Sequence, residues 1–172
     1  MRNLLTTCVC LLLLAACSSG GAPTETPEVR GVVETHLAVL ANGIVLENSS
    51  LASQPVSERF IMGDNVGTRY RDNGWDGRGV QDFRDYWDSV FKVHENISIN
   101  FIIESLDVNG EVATAVVSSK YSGVKVNTTP PESFTADGFD YMIWQLEDRG
   151  WRLITWEEAP PGAHNEGEGE DI

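Results

Sequence analysis

The run FDYMIWQLEDRGWRLITWEE, residues 139–158, constrains this chain more than any other stretch. Two aromatic-rich segments flank Asp148-Arg149-Gly150, and together they hold three of the five tryptophans. Aromatic and β-branched residues suit a pleated, half-buried surface, so the run is expected as two strands joined by a tight turn. A lone hairpin is marginal in water and needs further strands or a helix against its apolar face. The rest of the folded domain is expected to supply that cover.

The preceding chain offers helices first and strands afterwards. Thr26-Pro27-Glu28 reads as a helix start: a capping hydroxyl, proline at the first helical position, and a carboxylate near the positive dipole end. Val29, Val32, Val33, His36, Leu37, Leu40, Ala41 and Ile44 then share one helical face, and Asn42-Gly43 either ends that helix or weakens it. Residues 57–62 are expected as a short helix and residues 66–70 as a short strand. Residues 72–77, DNGWDG, form a turn cluster. A second helix is expected over residues 79–91, with Val80, Phe83, Trp87, Val90 and Phe91 on its apolar face. From Ile97 the period changes to two, Asn109-Gly110 marks a hairpin, and residues 111–121 return. Residues 122–138, which contain Pro130-Pro131, are expected mostly as loop. With the closing hairpin this makes a four-stranded antiparallel meander, an α+β layout with N-terminal helices packed on one face of a curved sheet.

The two ends of the chain read differently. Arg2, an apolar run around residues 11–14 that is too short to span a bilayer, and Leu14-Ala15-Ala16-Cys17 follow one another. Small residues before a cysteine resemble the bacterial lipoprotein box. The resemblance implies a signal peptide over residues 1–16, cut after Ala16, and a palmitate-type lipid on Cys17. Ser18 in place of an aspartate implies the outer membrane where the cell has one. Residues 17–27 are the lipid-anchored tether, residues 28–158 the domain, and residues 159–172 an acidic tail without apolar pattern. Cys8 and Cys10 leave with the signal, so no disulfide or thiolate metal site is expected. The net charge of -14 argues against nucleic acid, whose phosphates need clustered Lys and Arg.

The order of elements, the segment Tyr70-Arg71-Asp72-Asn73-Gly74-Trp75-Asp76-Gly77 and the ending Gly150-Trp151-Arg152-Leu153-Ile154 resemble the nuclear transport factor 2-like superfamily, including SnoaL-like domains. The resemblance implies a cone-shaped, cystatin-like half-barrel, often dimeric through its sheet, with a pocket between sheet and helices. It also implies that the face of Trp151 and Leu153 looks inward. Continued alternation would bring Thr155 and Glu157 to the pocket mouth and turn Trp156 outward or into a dimer partner. Members include isomerases, cyclases, dehydratases and binding proteins without catalysis, so the fold does not choose a function.

Candidate chemistry is sparse. The chain has no GxSxG, HExxH, P-loop or GxGxxG. Asp72, Asp76 and Gly77 only faintly match a calcium loop, because Gly74 and Phe83 stand where oxygen ligands are needed. No metal and no cofactor are therefore expected. His36 is either a core histidine or a pocket residue, and His94 is expected at a helix C-terminus. The candidate pocket residues are His36, Tyr70, Trp75, Thr155 and Glu157. The expected function is binding of a small apolar ligand or a partner protein, without catalysis, by a lipid-anchored envelope protein. The alternatives are an isomerase or cyclase using Glu157 or His36 on a carbon acid, and a homodimeric structural module.

Overall fold

A computed structural model describes residues 26–62 and 78–158. Helix α1, Pro27–Val45, begins where Thr26 is still extended (φ -100°, ψ 126°). The Thr26 hydroxyl makes no capping bond, contrary to the sequence reading. Proline at the helix start and the Arg30 N–H donating to the Thr26 carbonyl (3.1 Å) set the first turn instead. Val33, Leu37, Leu40, Gly43 and Ile44 are buried along one stripe, as the periodicity requires. The helix runs through Asn42-Gly43 because Gly43 is where helix α2, Ser49–Ala52, presses against it. A Cβ at Gly43 would collide with the Ala52 backbone. The Asn48 side chain caps α2 by accepting from the Leu51 N–H (3.0 Å).

Residues 57–62 are not a helix. They belong to strand β1, Val56–Met62, in which Val56, Phe60 and Met62 are buried. The strand runs parallel to the last strand of the chain, about a hundred positions later, so no local pattern announces it. The expected strand at residues 66–70 lies outside the described residues. Helix α3, Gly79–Phe91, follows as expected and buries Val80, Phe83 and Trp87. Its N-terminus is closed by the Arg78 N–H donating to the Asp82 carboxylate (2.8 Å).

Four long strands complete the sheet: β2 His94–Asn109, β3 Val112–Lys125, β4 Glu132–Glu147 and β5 Gly150–Glu158. The order is β1-β5-β4-β3-β2, so the antiparallel meander gains a parallel edge strand that the sequence reading lacked. Asn109 pairs with Val112 and Glu147 with Gly150, which places tight turns at both expected sites. Gly110 and Gly150 supply the positive φ those turns need (61° and 94°). The expected long loop over residues 122–138 is overturned. β3 and β4 pair without a break from Val112↔Gln145 to Lys125↔Glu132, and only residues 126–131 connect them. Backbone ladders tolerate the Ser, Thr and Gly that made this stretch look irregular.

One break in register decides what the sheet buries. Trp144 pairs with Leu153, but Ile143 pairs with Thr155, leaving Ile154 as an extra residue in β5. Such a bulge exchanges the two faces for every residue beyond it. Trp151, Leu153 and Trp156 therefore all face the helices (9, 0 and 8 % exposed), and the expected outward Trp156 is corrected. The core gathers around it, with Phe83, Trp87 and Phe101 at ring-centroid distances of 6.4, 6.2 and 5.7 Å. Phe60 meets Phe83 edge-on at 5.3 Å. Each fully buried aromatic of this kind contributes on the order of 2–3 kcal/mol through lost water contact.

The α1–α2 contact yields a direct test. Gly43→Ala must push α2 off α1, and chemical denaturation of the variant should show a loss of about 1–3 kcal/mol. Unchanged stability would mean that the two helices do not meet at Gly43.

Candidate functional site

The inner face of the sheet is the first place to look for chemistry. Inward positions on β4 are Trp144, Met142, Asp140, Gly138 and Ala136, and their partners on β3 are Ala113, Ala115, Val117, Ser119 and Tyr121. Trp144 and Met142 are fully buried, and Asp140 is a buried carboxylate on the same row. Beyond it Ser119, Gly138 and Ala136 are small, and among the described residues a Cβ at Gly138 would meet nothing within 4 Å, before Tyr121 and Phe134 pack on each other and on His94 at the strand ends. The inner face is thus packed tightly around Trp144 and Met142 and more sparsely around Gly138.

The aromatic wall of this interior carries unmet hydrogen-bond donors. The indole Nε1–H groups of Trp87, Trp144 and Trp156 are buried and, among the described residues, have no acceptor. Each such group costs about 1–3 kcal/mol relative to a satisfied one, and most buried polar groups in folded proteins are paired. Two of them, on Trp87 and Trp156, belong to neighbouring rings.

The sequence candidates are scattered. His36 is half-buried, its ring stacked on Trp144 (5.7 Å between centroids, 9° between planes). Burial holds its pKa below the ordinary 6.5, the Arg152 charge adds to this, and a hydrogen bond with the Trp151 backbone opposes it. It is a packing histidine kept neutral, and it lines neither the groove at Ser53, Arg84 and Arg152 nor the cleft between α1 and β2. Thr155 and Glu157 pair with Ile143 and Tyr141 on the outer face, so the bulge takes them away from the pocket mouth. Cys17, Tyr70 and Trp75 lie outside the described residues. His94 does sit at the C-terminus of α3, with its Nδ1 3.1 Å from the Val90 carbonyl. It also packs on Phe134 at 5.1 Å.

Sequence reasoning missed Asp140, although the run Asp140, Met142, Trp144 has the period of two that marks one strand face. It also missed a groove of about 740 Å³ built from segments far apart in the chain. Ser53, Ser57, Arg59, Arg84, Glu147, Arg149 and Arg152 are among its lining residues. The Ser57 hydroxyl and the Arg59 guanidinium both donate to one Glu147 oxygen (2.7 and 2.8 Å). Those two hydrogen bonds, with the charges of Arg59 and Arg152, hold the Glu147 carboxyl below its usual range against a small opposing effect of burial. Across the groove the Arg84 Nε–H donates to the Ser53 hydroxyl (2.7 Å), and Arg152 Nη1 donates to the Gln54 carbonyl (2.6 Å). Among the described residues no three His, Cys, Asp or Glu side chains come together as metal ligands would.

The depressed pKa of His36 has a pH signature. The unfolded chain binds a proton that the folded chain refuses, so the His36 contribution is complete above 6.5 and is lost as pH falls through the folded value. Thermal melts between about pH 7.5 and 5.5 should show a falling Tm, and His36→Phe, which keeps the stack without the proton, should flatten the slope. An identical slope in the variant would contradict a buried, neutral His36.

No family model matches the chain, and no curated protein matches it. Solved structures do. A nuclear transport factor 2-like superfamily protein from Salmonella enterica is 16% identical, with a TM-score of 0.61 over 84% of this chain and 99% of that one. A protein with a cystatin-like fold from Novosphingobium aromaticivorans is 16% identical, with a TM-score of 0.60 over 79% of this chain and 84% of that one. A domain of unknown function from Nostoc punctiforme, also cystatin-like, is 14% identical, with a TM-score of 0.57 over 78% of each chain. At these identities the likeness speaks for architecture. Helices packed on the inner face of a curved five-stranded sheet, in this order and with this coverage, are the nuclear transport factor 2-like fold.

Proposed function

We propose that this chain is a lipid-anchored protein of the bacterial envelope whose domain holds a small, largely apolar ligand in its aromatic interior, without catalysing a reaction. The observation behind this is the set of buried indole donors, above all the neighbouring Trp87 and Trp156. An apolar molecule bearing one acceptor oxygen would stack on their rings and satisfy an N–H that the protein leaves open. The carbon-acid isomerase or cyclase alternative loses both of its named proton acceptors, since Glu157 is on the outer face and His36 is stacked on Trp144. Among the described residues, Asp140 is the buried carboxylate that could take that role.

The anchor rests on Cys17 and its resemblance to the lipoprotein box. In a bacterial host, Cys17→Ser should move the protein from the detergent-extracted membrane fraction to the soluble envelope fraction. A variant that still needs detergent would refute the anchor.

The ligand reading is tested with Prodan, a neutral naphthyl ketone whose single carbonyl is the kind of acceptor required. Saturable, blue-shifted fluorescence is expected with the full chain. Trp87→Phe keeps an aromatic ring but removes the donor and part of the stacking area, so it should weaken binding about 2- to 10-fold. Without ligand the same variant should lose no more than about 1–2 kcal/mol of stability, because deleting an unsatisfied buried donor offsets part of the packing lost with the smaller ring. A wild-type interior that admits no Prodan at all would sink the reading.

A further inference from the structure

The groove beside the β4–β5 turn does not belong to the aromatic interior, and its charge is out of keeping with the chain. Acidic residues outnumber basic ones 26 to 12, yet four arginines, Arg59, Arg84, Arg149 and Arg152, line this one groove. Its own carboxylates are Glu58, Glu147 and Asp148. Glu147 is taken up by Arg59 and Ser57. Among the described residues none of the three forms an ion pair with Arg84, Arg149 or Arg152. In a chain with so many acids, three arginines that meet no carboxylate partner among the described residues around one hollow are unusual.

Two of them are held in place. Arg84 donates through Nε to the hydroxyl of Ser53, which is 2 % exposed and itself donates to the Ser50 carbonyl (3.1 Å). That bond fixes the guanidinium while leaving its terminal nitrogens for something else. Arg152 is tied to the Gln54 carbonyl at 2.6 Å and reaches the Arg149 carbonyl at 3.4 Å. Ser53 and Gln54 are consecutive, so both guanidiniums are anchored at one short link between α2 and β1. Both spend neutral acceptors on being held and keep their charge. A planar fork fixed in this manner suits oxyanions and loses little entropy on engaging one.

We infer that this groove is a binding site for the phosphate group of a small phosphomonoester, gripped by Arg84 and Arg152. A phosphate dianion matches two guanidiniums in charge, and its several oxygens let both forks engage one group; a single carboxylate would leave one cation uncompensated. The volume, about 740 Å³, leaves room for the esterified body. Arg59 is already paired with Glu147 and takes no direct part.

The test is calorimetric titration of the full chain, purified in detergent, with inorganic phosphate and with glycerol phosphate. Saturable binding that weakens with added salt is expected. Arg84→Gln and Arg152→Gln should each weaken it about tenfold or more, while Arg59→Gln should leave it within about twofold. Arg84→Lys keeps the charge but not the fork and should still lose several-fold; it carries the test if the Arg152 variant fails to fold. Short-chain phosphatidic acid, offered below its micelle concentration, separates the sources of the phosphate. Tighter binding than glycerol phosphate assigns the site to lipid headgroups, and equal or weaker binding assigns it to soluble esters. Absence of saturable phosphate binding, equal losses in all three glutamine variants, or succinate binding as tightly as phosphate would overturn the inference. None of these outcomes bears on Prodan in the aromatic interior, so the two sites stand or fall separately.

Discussion

The turn of Trp156 into the core is the contact on which the rest of this structure depends. It requires Ile154 to be skipped in the β4–β5 ladder. Without the skip, strict alternation would seal Thr155 and Glu157 against the helices and leave an indole on the outer face. A carboxylate in an apolar interior is penalised far more than a local kink. With the skip, Trp151, Leu153 and Trp156 form one inward row, and α3 has an aromatic floor for Phe83 and Trp87. The parallel edge strand depends on the same feature, since β1 pairs with Leu153 before the bulge and with Thr155 and Trp156 after it.

Much of this was legible in the residues. The stripe from Val29 to Ile44 demanded α1, the Val80-Phe83-Trp87 spacing demanded α3, and Asn109-Gly110 and Arg149-Gly150 marked the turns. The sequence reading takes β5 as unbroken alternation, although Trp151, Leu153 and Trp156, at spacings of two and then three, carried a signal for the bulge. What else escaped was non-local. β1 has charged Glu58 and Arg59 at its centre, and its partner lies at the far end of the chain, so nothing near it says strand. Residues 122–125 and 132–138 carry few apolar side chains and are held by ladder bonds to one another, which composition does not record.

The candidate site divides in the same manner. Trp87, Trp144 and Trp156 stand out as core residues in any reading, but that their N–H groups go unanswered is a fact of three dimensions. The arginine groove is less legible still: residues from β1, α3 and the β4–β5 turn reach one hollow from three separate segments. A folded chain that satisfies its polar groups nearly everywhere and fails to do so in one or two places has usually kept those places for another molecule. Among the described residues two such places stand out, of opposite character. One has donors without acceptors among neutral rings, and the other has cations without anions among serines.

Arg152 joins them. It sits on β5 between Trp151 and Leu153, both of which face the core, yet its guanidinium is held at the groove by the Gln54 and Arg149 carbonyls. Its charge lowers the pKa of His36 on one side and of Glu147 on the other. A neutral His36 is what allows a ring to lie flat on Trp144 without bringing a buried cation to the core, so the arginine that charges the groove also helps keep the inner packing uncharged. An anion arriving at the groove would screen that charge and ease protonation of His36.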